Sequence, residues 1–141
     1  MRARLKNSGR WVAIADRDFA AANKLLEESS DIAAYHLQQA TEKYLKAFLS
    51  LHGETLKKSH DVSALLLNCI VIDQSFTSLA SVGDPAEMTA FATKYRYPNE
   101  EEVEFPTADE IASALKLCEY SRALVREKIS EFEASLPPSD S

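Results

Sequence analysis

The stretch that decides the fold is 31-DIAAYHLQQATEKYLKAFLSLH-52. Its apolar side chains recur every three or four residues, which is the spacing of one face of an α-helix. Ser30 or Asp31 suits the N-cap, because a short side-chain oxygen can accept a free first-turn N–H, and Gly53 suits a left-handed cap at the other end. We therefore predict one long amphipathic helix over 31–52. Its apolar face comprises Ala33, Leu37, Ala40, Tyr44, Ala47, Phe48 and Leu51.

Other segments of the chain show the same periodicity and recognisable helix ends. Ser59 is a candidate N-cap for the helix that follows Gly53. Pro85 is a favoured early helical residue. Thr107 and Glu110 match a capping box at the start of the last helix. The predicted helices are 9–28, 31–52, 60–73, 86–95 and 108–134, with an additional helical turn over 76–82.

Length and composition fit one helical domain. The chain has 141 residues, and domains of about 100 to 150 residues are the commonest. A hydrophobic share of 45% is ordinary for a globular protein, and three Gly with five Pro leave room for few tight turns. We predict an all-α, up-and-down antiparallel bundle of four to five helices over residues 1–136, followed by a flexible tail over 137–141.

The charge is distributed unevenly along the chain. Sixteen basic and 22 acidic residues give a net charge of −6. Residues 1–60 carry ten Lys and Arg against seven Asp and Glu, a net of +3, whereas residues 61–141 carry six against fifteen, a net of −9. This balance disfavours a protein whose whole surface coats nucleic acid, but a local basic face remains compatible with it.

The sequence shows no membrane helix, no signal peptide and no metal-binding motif, which limits the predicted cellular location and the predicted cofactors. No apolar run approaches the length of about 18 residues that a membrane helix needs, and no signal peptide is visible, so we expect a cytoplasmic protein without membrane association. Cys69 and Cys118 are isolated in apolar helical contexts, which favours buried thiols over a disulfide or a zinc site. His36 and His52 lie about 24 Å apart on one helix, and with His60 they form no ligand set. We expect no metal and no cofactor.

A polar stripe lies opposite the apolar face of the helix over 31–52. Two interpretations stay open: the floor of a nucleotide-binding groove, or a solvated outer face. Glu42 with Lys43 or Lys46 is also suited to an intrahelical ion pair. His60, beside Asp61, favours a structural role at a helix start and is a further candidate for the groove. The stripe consists of His36, Gln39, Lys43, Lys46 and Ser50.

Several short motifs together resemble the HEPN domain, a small helical domain of prokaryotes and higher eukaryotes. They are H-x-Q-Q-A-x-E-K-x-x-K-A over 36–47, the glycine that ends this helix, H-D at 60–61 and R-Y-P at 96–98. The resemblance covers about residues 11–129. It implies a bundle of four or five helices, usually a homodimer, that handles RNA or a nucleotide. In prokaryotes it also implies a separate small nucleotidyltransferase as a frequent partner.

HEPN ribonucleases carry an arginine followed, after four to six residues, by a histidine. Such a pair suits RNA cleavage, because the histidine can move the proton of the ribose 2′-OH and the arginine can stabilise charge on the phosphorane. Here Arg96 is the arginine, but Glu101, Glu102 and Val103 occupy the histidine positions. The missing histidine argues against catalysis by the family mechanism and leaves the question of enzymatic activity open, with Arg96 the catalytic candidate if the chain is a nuclease.

Arg96 and Tyr97 also form a binding candidate. A guanidinium can contact phosphate while the neighbouring ring stacks on a base, although Arg96 can equally pair with the glutamates at 100–104 while Tyr97 packs on the bundle. The leading hypothesis is a homodimeric, HEPN-like nucleotide- or RNA-binding module that acts with a nucleotidyltransferase in a toxin–antitoxin-like system. The alternatives are a metal-independent ribonuclease toxin with a degenerate motif and a purely structural dimerisation domain.

Overall fold

The computed structural model describes residues 1–56, 59–91 and 105–138, and structural statements below concern these residues. They form five α-helices and one 3-10 helix, with no β-strand among them, which confirms the all-α prediction. The α-helices are α1 (Arg2–Leu25), α2 (Ser30–Leu51), α3 (Val62–Ile72), α4 (Pro85–Ala90) and α5 (Ala108–Ser135). The 3-10 helix, Gln74–Ser81, connects α3 to α4.

Helix α2 is the centre of the bundle. It packs against α1, α3, α4 and α5, and most extensively against α1. All seven residues of its predicted apolar face are at most 1% exposed. Ala15 and Ala22 of α1 are completely buried in the same core, and such small side chains let two helix axes approach closely. The core therefore surrounds α2 and leaves the far side of α1 to solvent.

Three predicted helix starts were wrong. Helix α1 begins at Arg2 rather than near Gly9, because the Ser8 hydroxyl donates to the Ala47 carbonyl at 2.7 Å and docks the early turns on α2. Helix α2 begins at Ser30, so Ser30 is not its N-cap, and the residue before it forms no side-chain cap bond. Helix α3 begins at Val62 because Asp61, not Ser59, caps it by accepting from the Ala64 N–H at 3.1 Å.

Other predicted helix ends are confirmed. Thr107 and Glu110 form both bonds of the capping box, at 3.1 and 2.9 Å. Pro85 lies in the first turn of α4. Gly53 follows α2 with φ +73°, where a side chain would meet the Arg4 guanidinium. The predicted turn over 76–82 is part of the 3-10 helix, and the predicted end of the 86–95 helix lies outside the described residues.

The two cysteines are buried free thiols, as predicted. No helix among the described residues combines the length and the apolar character required to span a bilayer. In the same part of the chain, no group of three or more His, Cys, Asp or Glu side chains is placed to hold a metal ion. The domain boundary at 136 and the flexible tail stay predictions, although the Pro137 carbonyl accepts from the Arg2 guanidinium at 2.8 Å.

Candidate functional site

The polar stripe of α2 faces neighbouring elements rather than open solvent. Its cations divide between two carboxylates, Asp18 on α1 and Glu42 on α2 itself. The Lys46 side chain is only 9% exposed, so the interpretation of the stripe as a solvated outer face does not hold there. The predicted ion pair between Glu42 and Lys46 is confirmed, with Nζ 2.7 Å from Oε1.

Asp18 contacts two side chains from the first half of the polar stripe. The Lys43 ammonium donates to Oδ2 at 2.6 Å, and the Nδ1 atom of His36 lies 2.9 Å from Oδ1. Both carboxylate oxygens are therefore occupied, and the edge of the Tyr35 ring approaches the His36 imidazole. These contacts connect α1 to α2. The sequence alone does not predict which residues of the two helices face each other.

Glu42 contacts Lys46 in the second half of the polar stripe, and the Glu42 side chain is only 3% exposed. Besides Lys46, it accepts from the Gln38 amide at 3.0 Å, and the Nδ1 atom of His60 lies 3.0 Å from Oε2. Gln38 also donates to the His60 carbonyl at 3.2 Å and accepts from the Gln39 amide at 2.8 Å. We name these five residues, Gln38, Gln39, Glu42, Lys46 and His60, the Glu42 cluster.

The Glu42 cluster compensates a buried negative charge. An isolated buried carboxylate is strongly unfavourable, and one ammonium with several N–H donors offsets that cost. The sequence analysis proposed neither Gln38 nor Glu42 as a site residue. Both belong to the H-x-Q-Q-A-x-E-K motif, so the signal was present, but the motif alone does not tell a buried polar residue from an exposed one.

His60 is the solvent-facing end of the Glu42 cluster. Its side chain is 67% exposed, and its Nδ1 atom is turned toward Glu42. Among the described residues, no hydrogen bond involves its Nε2 atom. The carboxylate thus orients the ring, and Nε2 can accept from a ligand when the ring is neutral or donate to one when it is protonated.

Lys46 connects the cluster to a cavity between α1 and the end of α2. Its ammonium lies 5.6 Å from the centre of the Trp11 ring, a cation–π distance. The cavity has a volume of about 240 Å³ and is lined by Asn7, Arg10, Trp11, Ile14, Ser50, Glu54 and Leu56. A second cavity of about 390 Å³ shares Glu54 and Leu56 and reaches Ser59, the neighbour of His60. The two cavities have Glu54 and Leu56 in common, and we name them together the concave region, which extends from Trp11 to Ser59.

A third group of polar contacts, centred on Asp16, connects the helices that surround the site. The Tyr44 hydroxyl donates to Asp16 on α1, and the Arg122 guanidinium of α5 donates to the same carboxylate oxygen at 3.1 Å. Burial, and then the hydrogen bond to Asp16, raise the pKa of the Tyr44 phenol far above its ordinary value. The hydrogen bond to Asp16 is also the main cause of the raised pKa of Arg122. The three helices α1, α2 and α5 are thus tied at one point.

The predicted site residues are only partly brought together. Lys46, His60 and Gln39 belong to the Glu42 cluster, whereas His36 and Lys43 contact Asp18. Arg96 and Tyr97 lie outside the described residues. Arg10 and Trp11, which line the cavity, were not proposed as site residues.

Fold and site together define an all-α helical bundle whose central helix carries polar side chains bound to buried carboxylates. The family model of the HEPN domain matches residues 8–128, so the chain belongs to the HEPN family and the resemblance is confirmed. This family is a nucleotide- and RNA-related one. No curated protein and no solved structure gives a significant match to the chain.

Proposed function

We propose that this HEPN chain is a non-catalytic module that binds a nucleotide or RNA through the concave region and His60. It acts in the cytoplasm as a homodimer beside a separate nucleotidyltransferase, in a toxin–antitoxin-like system. The observation that carries the binding proposal is the His60 imidazole, oriented by the buried Glu42 carboxylate and open to solvent at Nε2.

The lining of the concave region suits a nucleotide. Trp11, Ile14 and Leu56 offer apolar area against which a planar heterocycle packs, and Asn7 and Arg10 offer donors beside it. The Glu54 carboxylate, at the junction of the two cavities, can accept from an exocyclic amine of a base but repels phosphate. Phosphate groups therefore contact the Arg10 guanidinium or protonated His60, and not the Glu54 carboxylate that lines the same cavity as Arg10.

Catalysis is not part of the proposal, because the sequence has no histidine after His60 and hence none following Arg96. The ribonuclease alternative is tested by incubating the chain with end-labelled single-stranded RNA, with and without Mg²⁺, beside Arg96→Ala. Intact RNA in every lane supports a binding module. Cleavage by the wild type that is lost in Arg96→Ala overturns it.

The outer face of α3 supports the homodimer. Leu67 and Val71 are 63% and 85% exposed on a helix of mostly apolar residues, and exposed large apolar side chains on such a helix are typical of an interaction surface. We expect light scattering to give a dimer for the wild type and a smaller mass for Val71→Lys. Ala123→Lys, at an exposed position of α5, is the control and stays dimeric. A wild-type monomer at all concentrations contradicts the proposal.

Nucleotide binding is tested by calorimetric titration with AMP and ATP. We expect His60→Gln to weaken binding of the preferred nucleotide about tenfold, the size of one lost charge-assisted hydrogen bond. The matched control is His52→Gln, because His52 also lies outside the helices but contacts Phe48 and Phe132 instead of the Glu42 cluster. Equal affinities for His60→Gln and the wild type contradict the assignment of His60.

The nucleotidyltransferase partner is tested by purifying the tagged chain from its source organism. Stoichiometric recovery of a nucleotidyltransferase supports the proposal. Recovery of the chain alone, at expression levels of the native gene, contradicts it.

A further inference from the structure

The outer face of α1 carries a line of cations that the proposed function does not use in full. Lys6, Arg10, Arg17 and Lys24 are spaced by four, seven and seven residues, and all four are exposed. At about 100° and 1.5 Å per residue, these spacings place them within an arc of about 40° and over a length of about 27 Å. We name these four residues the α1 stripe.

Among the described residues, no carboxylate forms an ion pair with the α1 stripe, and Glu54, which lines the same cavity as Arg10, is the acidic side chain that shares a site with it. The two carboxylates of α1, Asp16 and Asp18, lie about 100° to either side of the middle of the stripe. They are occupied by Tyr44 with Arg122 and by His36 with Lys43. None of the four cations forms an ion pair or a side-chain hydrogen bond with another described residue. The α1 stripe is therefore a row of four cations without an ion-pair partner among the described residues, although the chain as a whole carries −6.

The residues between the cations indicate which class of ligand this surface suits. Ala3, Ala13 and Ala20 are exposed along it, and Ile14 is the largest apolar side chain there. A protein interface is expected to offer aromatic or other large anchors, and a helix that lies in a membrane surface needs bulky apolar residues. A phosphate backbone needs neither, and small side chains allow it to approach the helix closely.

We infer that the α1 stripe binds the phosphodiester backbone of a nucleic-acid strand. A strand along α1 presents a row of phosphates to the four cations, and each contact releases condensed counterions. Arg10 belongs both to the α1 stripe and to the cavity beside Trp11, so a bound strand passes the mouth of the proposed nucleotide site. The inference rests on the proposed function in that it extends the ligand from one nucleotide to a strand.

The test is the salt dependence of binding, measured by fluorescence anisotropy with labelled 20-nucleotide oligo-U RNA and oligo-dT DNA. Four contacts to a single strand correspond to a slope of about −2.8 in log affinity against log salt, or roughly a 50-fold loss between 50 and 200 mM NaCl. Arg17→Gln with Lys24→Gln removes two contacts outside the cavity. We expect about half the slope and roughly a sevenfold loss over the same range.

The matched control is Lys116→Gln with Arg126→Gln, which removes two exposed cations from α5 and changes the net charge equally. We expect it to keep the wild-type slope, and circular dichroism of all variants checks that they fold. Equal losses in both double variants overturn the inference, because a diffuse charge effect then explains binding. Similar binding of RNA and DNA, or preference for RNA, both lost with the α1 stripe, supports it.

Three further outcomes test the inference and the proposed function separately. If AMP or ATP binds in a His60-dependent manner but neither oligonucleotide binds, the α1 stripe assignment fails while the proposed function stands. If vesicles of phosphatidylserine and phosphatidylcholine bind through Arg17 and Lys24 and the oligonucleotides do not, a lipid surface replaces the strand and the inference is overturned. If the oligonucleotides bind and His60→Gln has no effect on either nucleotide, the proposed site fails and the α1 stripe stands.

Discussion

The polar stripe of α2 and the α1 stripe look alike in sequence and differ in space. Both place basic side chains at helical spacing on one face of a long helix. In α2, Lys43 and Lys46 each pair with a carboxylate of low exposure, whereas the cations on the outer face of α1 pair with none in the part of the chain that the structure describes. The comparison teaches that the position of the nearest carboxylate, and not the spacing of the cations, distinguishes a structural stripe from one that is free for a ligand.

The different places of the two helices in the bundle explain the contrast. Helix α2 is surrounded by four other helices, so its polar atoms lose water and need partners inside the protein. Helix α1 packs mainly on α2, and its outer-face cations are exposed, where an unpaired ammonium or guanidinium keeps its water. The four predictions below change one side of this contrast at a time.

The largest effect is expected from removing the buried carboxylate of α2. Glu42→Leu leaves Lys46 with a side chain only 9% exposed and no counter-charge, so we expect a loss of about 3 to 5 kcal/mol in the free energy of unfolding. Urea denaturation measures it. The control Glu119→Leu, at an exposed position of α5, should change stability by less than about 0.5 kcal/mol. A loss below about 1 kcal/mol for Glu42→Leu means that Lys46 is not held by this pair.

The next effect concerns the hydroxyl that links α2 to α1. Tyr44→Phe removes the donor to Asp16 from a fully buried side chain, and we expect a loss of about 1 to 2 kcal/mol, because Arg122 still pairs with the carboxylate. Tyr120→Phe is the matched control, since the Tyr120 ring is exposed. If the two variants have the same denaturation midpoint, the contact between Tyr44 and Asp16 does not stabilise the fold.

An intermediate case is Asp73, which is only partly buried and pairs with Lys128 at 3.0 Å. Hydrogen bonds from Ser75, and then Lys128, lower the pKa of Asp73 to about 2. A depressed folded-state pKa means that the stabilisation is complete above the unfolded value, 3.8, and is lost as the pH falls through about 2. We expect about 1 to 2 kcal/mol from this group, less than the full shift because the pair is partly hydrated.

Unfolding free energies between pH 5 and pH 2 measure the contribution of Asp73. Asp73→Asn should be less stable at pH 5 and should approach the wild type at pH 2, because about half of the wild-type carboxylate is then protonated. A constant difference between the two proteins over this range contradicts the assignment.

The smallest effect is expected on the α1 stripe. Arg17→Gln and Lys24→Gln should each change stability by no more than about 0.5 kcal/mol, because neither side chain has a partner to lose among the described residues. Lys43→Gln, which separates a short ion pair to Asp18, should cost about 1 kcal/mol or more. Equal costs for Arg17→Gln and Lys43→Gln remove the distinction between the two stripes.

Sequence reasoning succeeded where the structure depends on local spacing. The apolar face of α2, the capping box at Thr107, the left-handed Gly53 and the ion pair from Glu42 to Lys46 are all set within a few residues of chain. It failed at the start of α3, where Ser59 and Asp61 both carry cap-forming oxygens and only the geometry of the turn selects Asp61.

The candidate site was harder to predict because its contacts are distant in sequence. His60 reaches Glu42 across 18 residues, and Lys43 reaches Asp18 across 25. The rotation of α1 about its axis, set by close packing of Ala15 and Ala22 on α2, decides which carboxylates face inward. A helical spacing rule assigns residues to faces, but it does not say which neighbouring face each one meets.

The reaction rates of the two buried thiols report how often two parts of the bundle open. Burial raises the pKa of the Cys118 thiol to about 12 and that of Cys69 as well, so neither is a thiolate at neutral pH while the core is closed. A thiol reagent therefore modifies each cysteine only as fast as its surroundings open. Cys69 lies on the short helix α3 and Cys118 on the long helix α5, so the two labelling rates separate local release of α3 from opening of the whole core.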